Sequence, residues 1–135
     1  MRFVDTNVFL RFLVNDDSQK ADACEMLFKR AIEGEEALFT TDMVVAEIIW
    51  VLESYYKLNM KEIREKVEKI LNTKNLECLN REIIINALAV SEEANIDYID
   101  AYNAYMLKTR GITELYSYDS HYDRLSWLKR IEPAK

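Results

Sequence analysis

Four acids stand apart from the remaining carboxylates of this 135-residue chain: Asp5, Glu47, Asp100 and Asp119. Asp5 closes the strand-like run in Phe3-Val4-Asp5-Thr6-Asn7-Val8, and Asp119 follows a second such run, Leu115-Tyr116-Ser117-Tyr118. In an open parallel sheet the carboxyl ends of strands border the ligand crevice, so both acids are placed to reach it. Glu47 is the one acid in the otherwise apolar stretch from Met43 to Leu52, and Asp100 lies three residues after Asp97 at the start of a helical pattern. Each of the four sits at a strand end or where apolar context predicts burial, and an ionised carboxylate there is costly unless a cation or hydrogen bonds compensate. Three or four carboxylates with no His or Cys among them form a hard-oxygen site suited to Mg²⁺ or Mn²⁺. Such ions make water nucleophilic near neutral pH and stabilise charge developing on a phosphodiester, so the chemistry implied is metal-assisted phosphoryl hydrolysis.

Each acid also has a structural alternative. Asp5 can cap a helix, Asp100 can be a first-turn acid favoured by the helix dipole, and Asp119 can start a turn. Glu47 can be an exposed acid on a mostly buried helix. Convergence of all four on one site is the more economical reading, because two strand ends and two helices packed on one sheet meet at a single crevice.

The elements that must position these acids are legible as an alternation. Strand-length apolar runs at Arg2 to Asp5, Ala37 to Thr40, Leu76 to Leu79, Leu115 to Tyr118 and Arg130 to Glu132 are separated by longer segments of helical periodicity. Helix starts are expected at Ser18, Thr41, Asn59, Asn80 and Asp97. Gly34 and Gly111, the two glycines, fall where a helix must end. This rhythm predicts an α/β domain with a mostly parallel sheet, and nothing in the composition divides the chain.

Composition excludes several classes. Two glycines cannot supply a glycine-rich phosphate loop. Cys24 and Cys78 stand alone, without C-x-x-C spacing or a His cluster, and read as buried free thiols. The longest apolar run, Ile48 to Leu52, is far below the roughly 20 residues that span a bilayer, so a cytoplasmic protein without membrane attachment is expected. His121 is the one histidine and reads as a surface or helix-start residue, since no nucleophile motif accompanies it. Tyr98, Tyr102 and Tyr105 share a helix face and are expected to pack rather than stack on bases.

The sequence resembles the PIN-domain ribonucleases, and most closely the toxin nucleases of VapBC toxin-antitoxin pairs. The resemblance runs through Asp5-Thr6-Asn7-Val8 with Arg11-Phe12-Leu13 and Asp16-Asp17, then Ala46-Glu47 with Trp50-Val51-Leu52-Glu53, then Asp97-Tyr98-Ile99-Asp100-Ala101, and last Ser117-Tyr118-Asp119. It implies a three-layer α/β/α PIN-like domain with a mostly parallel central sheet, over residues 1–135. In that family pattern Asp5, Asp100 and Asp119 would bind Mg²⁺ or Mn²⁺, and Glu47 would bind the ion or position the attacking water. Thr6, Asn7 and Ser117 resemble the polar shell that orients the carboxylates, and Asp123 is an extra acid of either site or surface character. RNA is the implied substrate, cut to 5′-phosphate and 3′-hydroxyl ends, with an antitoxin protein and a second copy of the chain as implied partners. A net charge of −6 leaves little long-range attraction for a polyanion, so local bases such as Arg11, Lys108 or Arg110 are needed. The rival readings are a non-catalytic PIN-like binding module and an RNA-processing nuclease outside any toxin-antitoxin pair. A dehalogenase-type phosphatase is excluded because Asn7 stands where its second Asp is required.

Overall fold

Three short strands, β1 (Arg2–Phe3), β2 (Leu38–Thr40) and β3 (Leu76–Cys78), pair in parallel in the order β1-β2-β3. Phe3 stands opposite Phe39, and Leu38 opposite Leu76. This computed structural model describes residues 1–134. Backbone contacts divide the chain into two compact units, Met1–Arg81 and the part from Glu82 onward.

In the first unit β1 leads into α1 (Thr6–Val14) and α2 (Ser18–Ile32), and β2 into α3 (Asp42–Ser54) and α4 (Met60–Leu71). α1 packs on both α2 and α3, and α3 on α4. Apolar residues at helical spacing explain the packing: Phe9 is fully buried, with its ring stacked on Phe28 at 5.4 Å, and Phe12 meets Phe28 edge-on at 5.0 Å. Ile48 and Leu52 of α3 and Ile63 and Val67 of α4 are likewise fully enclosed. Thr40 is the buried polar group of this unit's sheet, and its hydroxyl donates to the Val4 carbonyl at 3.0 Å, tying the ends of β1 and β2 together.

The second unit carries α5 (Arg81–Ala94, whose first residue belongs to the first unit), α6 (Tyr98–Thr109), and a parallel pair, β4 (Glu114–Tyr116) with β5 (Lys129–Ile131). A 3₁₀ turn at Ser120–Arg124 joins them. Buried Ser91 in α5 donates to the Ile96 carbonyl at 2.6 Å, which fixes the α5–α6 connection. Tyr98 is buried and its ring lies 6.2 Å from that of Tyr102, so these tyrosines pack as expected.

All five strand regions and the parallel pairing match the sequence expectation, within two residues at each end. The caps match less completely. Thr41 and Asn59 cap α3 and α4 through their side chains. At α2 the cap is Asp17 rather than Ser18, its carboxylate accepting the Lys20 N–H. Asn80, immediately before α5, takes a left-handed φ of 56°, and its amide donates to Asp42. Asp97 occupies the N-cap position of α6 without a side-chain capping bond. Gly34 and Gly111 adopt positive φ as expected, and asparagines supply four further left-handed turns, at residues 15, 75, 80 and 95. That substitution explains how so helical a chain turns with two glycines.

Cys78 is buried but Cys24 is only half-buried, which corrects the expectation for the latter. Burial pushes the Cys78 thiol up to about 11, so it stays protonated and unreactive near neutral pH. A thiol-specific chromogenic reagent at pH 8 is expected to modify Cys78 in the native chain at least about tenfold more slowly than in urea; equal rates would contradict its burial.

Candidate active site

Asp5 sits at the N-cap of α1, immediately past the carboxyl end of β1, and its carboxylate accepts the Thr6 N–H at 2.8 Å. Because β1 and β2 run parallel and in register, α3 starts at the same sheet edge, with Glu47 in its second turn. Asp5 and Glu47 are both exposed. For Glu47 this corrects the burial expected from its apolar neighbours. Glu47 belongs to the solvent face of α3, where Met43 and Trp50 are exposed as well, so the apolar run there does not mark an enclosed helix.

Within the second unit the structure brings two of the sequence-predicted acids together. Asp100, in the first turn of α6, and Asp119, at the end of the segment after β4, interact directly as a carboxylate pair. Burial raises the pKa of Asp100, and the Asp119 charge adds to that; the Tyr122 hydroxyl, donating to Asp100 at 3.2 Å, opposes it. Asp119 is shifted down, chiefly because the His121 backbone N–H donates to it at 2.9 Å, helped by the His121 ring. His121 Nδ1 stands 2.6 Å from Asp119 Oδ1. His121 does lie at a turn start on the surface, but its grip on Asp119 was missed; the signal available was its position two residues after that acid.

Ser117 accepts the Asp119 backbone N–H at 3.0 Å, so it fixes the chain at the acid rather than the carboxylate itself. Thr6 is buried and acts on Asp5 through its backbone, while Asn7 is exposed and lines a neighbouring cleft. Asp123 is committed elsewhere: Arg130 donates to both of its carboxylate oxygens, at 3.0 and 3.2 Å, and to the Ser117 carbonyl at 3.1 Å. Asp123 therefore braces the turn that carries Asp119.

Among the described residues no group of three or more His, Cys, Asp or Glu side chains is gathered closely enough to hold a metal ion. The pair Asp100 and Asp119 is nevertheless chemically suited to one, since two facing hard-oxygen groups repel until a cation or a proton intervenes. The opposite shifts carry opposite stability consequences. A raised Asp100 stabilises the fold when protonated and loses that contribution as pH rises through its folded pKa; a lowered Asp119 stabilises above its ordinary 3.8 and loses that as pH falls. Asp100→Asn keeps an acceptor for Tyr122 without the desolvated charge. Its thermal midpoint is expected to exceed that of the natural chain at pH 7 and to match it near pH 3, as scanning calorimetry would read.

The family model for the PIN domain matches residues 2–128, a span that includes all four acids. The chain belongs to the PIN domain family. Among curated proteins, this PIN chain is similar to the VapC ribonuclease of Aquifex aeolicus (strain VF5), 28% identical over 133 residues and covering 98% of this chain and 97% of that protein. Among solved structures it aligns with the sarcin-ricin loop cleaving toxin VapC20 of Mycobacterium tuberculosis at 16% identity and a TM-score of 0.41, over 98% of this chain and 100% of that one. The α/β class with parallel strands accords with the family, and among the described residues no helix is long and apolar enough to cross a membrane.

Proposed function

We propose that the chain is a divalent-metal-dependent endoribonuclease that hydrolyses RNA phosphodiester bonds as the toxin of a toxin-antitoxin pair. The observation that carries this reading is the neighbouring carboxylate pair Asp100–Asp119 within a PIN family match that also spans Asp5 and Glu47. Near full-length similarity to a VapC ribonuclease supports it.

In this reading residues 1–135 act as one PIN-like domain, and Asp5, Glu47, Asp100 and Asp119 serve one reaction. Asp5, Asp100 and Asp119 would hold Mg²⁺ or Mn²⁺, which when bound supplies a nucleophilic water near neutral pH and offsets charge on the phosphate. Glu47, exposed and unconstrained by apolar neighbours, orients the attacking water or accepts its proton. His121 and Ser117 fix Asp119 from its ring and hydroxyl sides, and Tyr122 does the same for Asp100. A cytoplasmic location, a homodimer and neutralisation by an antitoxin protein complete the proposal.

One specific observation favours a second reading, a non-catalytic binding module: Asp5 and Asp119 both accept backbone N–H groups as caps, a structural role sufficient in itself. Incubating the purified chain with a mixed structured RNA in Mg²⁺, in Mn²⁺ and in EDTA separates the two. Cutting that EDTA abolishes supports the nuclease; no cutting by folded protein under either ion favours the module.

A further inference from the structure

Beside Asp5, on the same helix, lies a cleft of about 290 Å³ lined by Asn7, Val8 and Arg11 of α1 and Lys20, Ala23 and Cys24 of α2. Its lining holds two cationic side chains and no acid, in a chain whose formal charge is −6. The adjoining cleft is different: there Asp22 and Glu25 face Lys66 and Lys69, so its charges cancel.

The two cations are held in different ways. One Arg11 guanidinium nitrogen donates to Asp16 at 3.0 Å, and the same carboxylate takes the Tyr56 hydroxyl at 2.7 Å, so Arg11 is oriented before any ligand arrives. A guanidinium carries five N–H donors in a planar fork, and one bond to Asp16 leaves donors for an anion. Lys20 is 63% exposed and pairs with Asp17 only loosely, at 4.0 Å, an exposed contact that holds the ammonium weakly. Val8, Ala23 and Cys24 complete the lining beside the two cations. Asn7 and Arg11, four residues apart, share one face of α1, the helix whose N-cap is Asp5.

We propose that this cleft binds a backbone phosphate of the RNA substrate adjacent to the scissile one, with Arg11 as the fixed donor and Lys20 as the mobile one. The inference rests on the ribonuclease reading. It supplies the local positive charge that an acidic nuclease needs to place a polyanion. Recognition is of the phosphate and independent of base identity.

The test uses an Asp119→Asn chain, so that RNA is bound without being cut, and a fluorescently labelled single-stranded oligoribonucleotide titrated by anisotropy between 50 and 200 mM salt. Each phosphate contact contributes about 0.7 to the slope of log affinity against log salt. Adding Lys20→Ala is expected to reduce that slope by about 0.7 and to weaken binding equally for oligonucleotides of different sequence; adding Lys74→Ala, an exposed lysine away from the cleft, should change neither. Arg11→Gln, checked for folding by circular dichroism, is expected to act like Lys20→Ala. If Lys20→Ala and Lys74→Ala give the same slope, the proposal is overturned and the cleft is left to an acidic partner peptide. If the chain binds no RNA at any salt, the ribonuclease reading falls and takes the proposal with it.

Discussion

Asp119→Asn is expected to lower the rate of RNA hydrolysis by at least about 100-fold, since losing even the outer partners of a metal-binding group typically costs 10–100-fold. The substitution is nearly isosteric. Asparagine keeps an oxygen to accept the His121 N–H, and the Ser117 bond to the Asp119 backbone is untouched, so the turn at Ser120–Arg124 should persist. Asp5→Asn is expected to behave alike, retaining the Thr6 cap while losing the charge. Initial rates on one defined RNA in Mg²⁺, read beside far-ultraviolet circular dichroism and a thermal melt, separate lost chemistry from lost structure. Activity within a few-fold of the natural chain in both variants, in protein free of contaminating ribonuclease, would remove these acids from the reaction.

The largest effect on stability is expected from Phe9→Ala. Phe9 is fully buried on α1, its ring stacked against Phe28, which Phe12 also contacts edge-on. Truncation removes the ring and leaves a cavity that the surrounding helices fill only in part, costing about 3–5 kcal/mol. Against a total of roughly 5–15 kcal/mol, that is a large share of the stability. Because α1 also carries Asp5, Asn7 and Arg11, the loss should disturb the site's geometry before the chain unfolds. Urea denaturation would show a reduced midpoint at unchanged slope; a change below about 1 kcal/mol would mean that the α1–α2 contact contributes little.

Much of the architecture was readable from periodicity because strand-length apolar runs alternate with amphipathic segments, and because Thr41 and Asn59 cap through local contacts that depend on few residues. What escaped was whatever tertiary partners decide. Asn80 reads locally as a helix start, and nothing local reveals its left-handed backbone or its reach to Asp42, 38 residues away. Ser18 loses the cap of α2 to Asp17, whose carboxylate is the stronger acceptor for the Lys20 N–H. Asp16 is oriented by Tyr56, 40 residues distant, which no local pattern reveals.

For the site, residue types and strand-end positions pointed to Asp5 and Asp119, whereas burial was misjudged at Glu47. Hydropathy averages over all faces of a helix, and α3 exposes Met43 and Trp50 together with Glu47. The boundary between the two units leaves no trace in composition, since it falls at the first turn of α5 rather than in a linker. Asp123 shows the converse: an acid near the site by sequence, but held by Arg130 through two hydrogen bonds.

In the proposed reaction, water activated at a metal-dependent carboxylate site attacks the RNA phosphorus. Cleavage in ¹⁸O-labelled water with Mg²⁺, followed by mass spectrometry of the product ends, reads this directly. The expected result is ¹⁸O in the newly formed 5′-phosphate beside an unlabelled 3′-hydroxyl. Unlabelled 2′,3′-cyclic phosphate ends, formed equally well in EDTA, would contradict the account, because the nucleophile would then be the RNA's own 2′-hydroxyl.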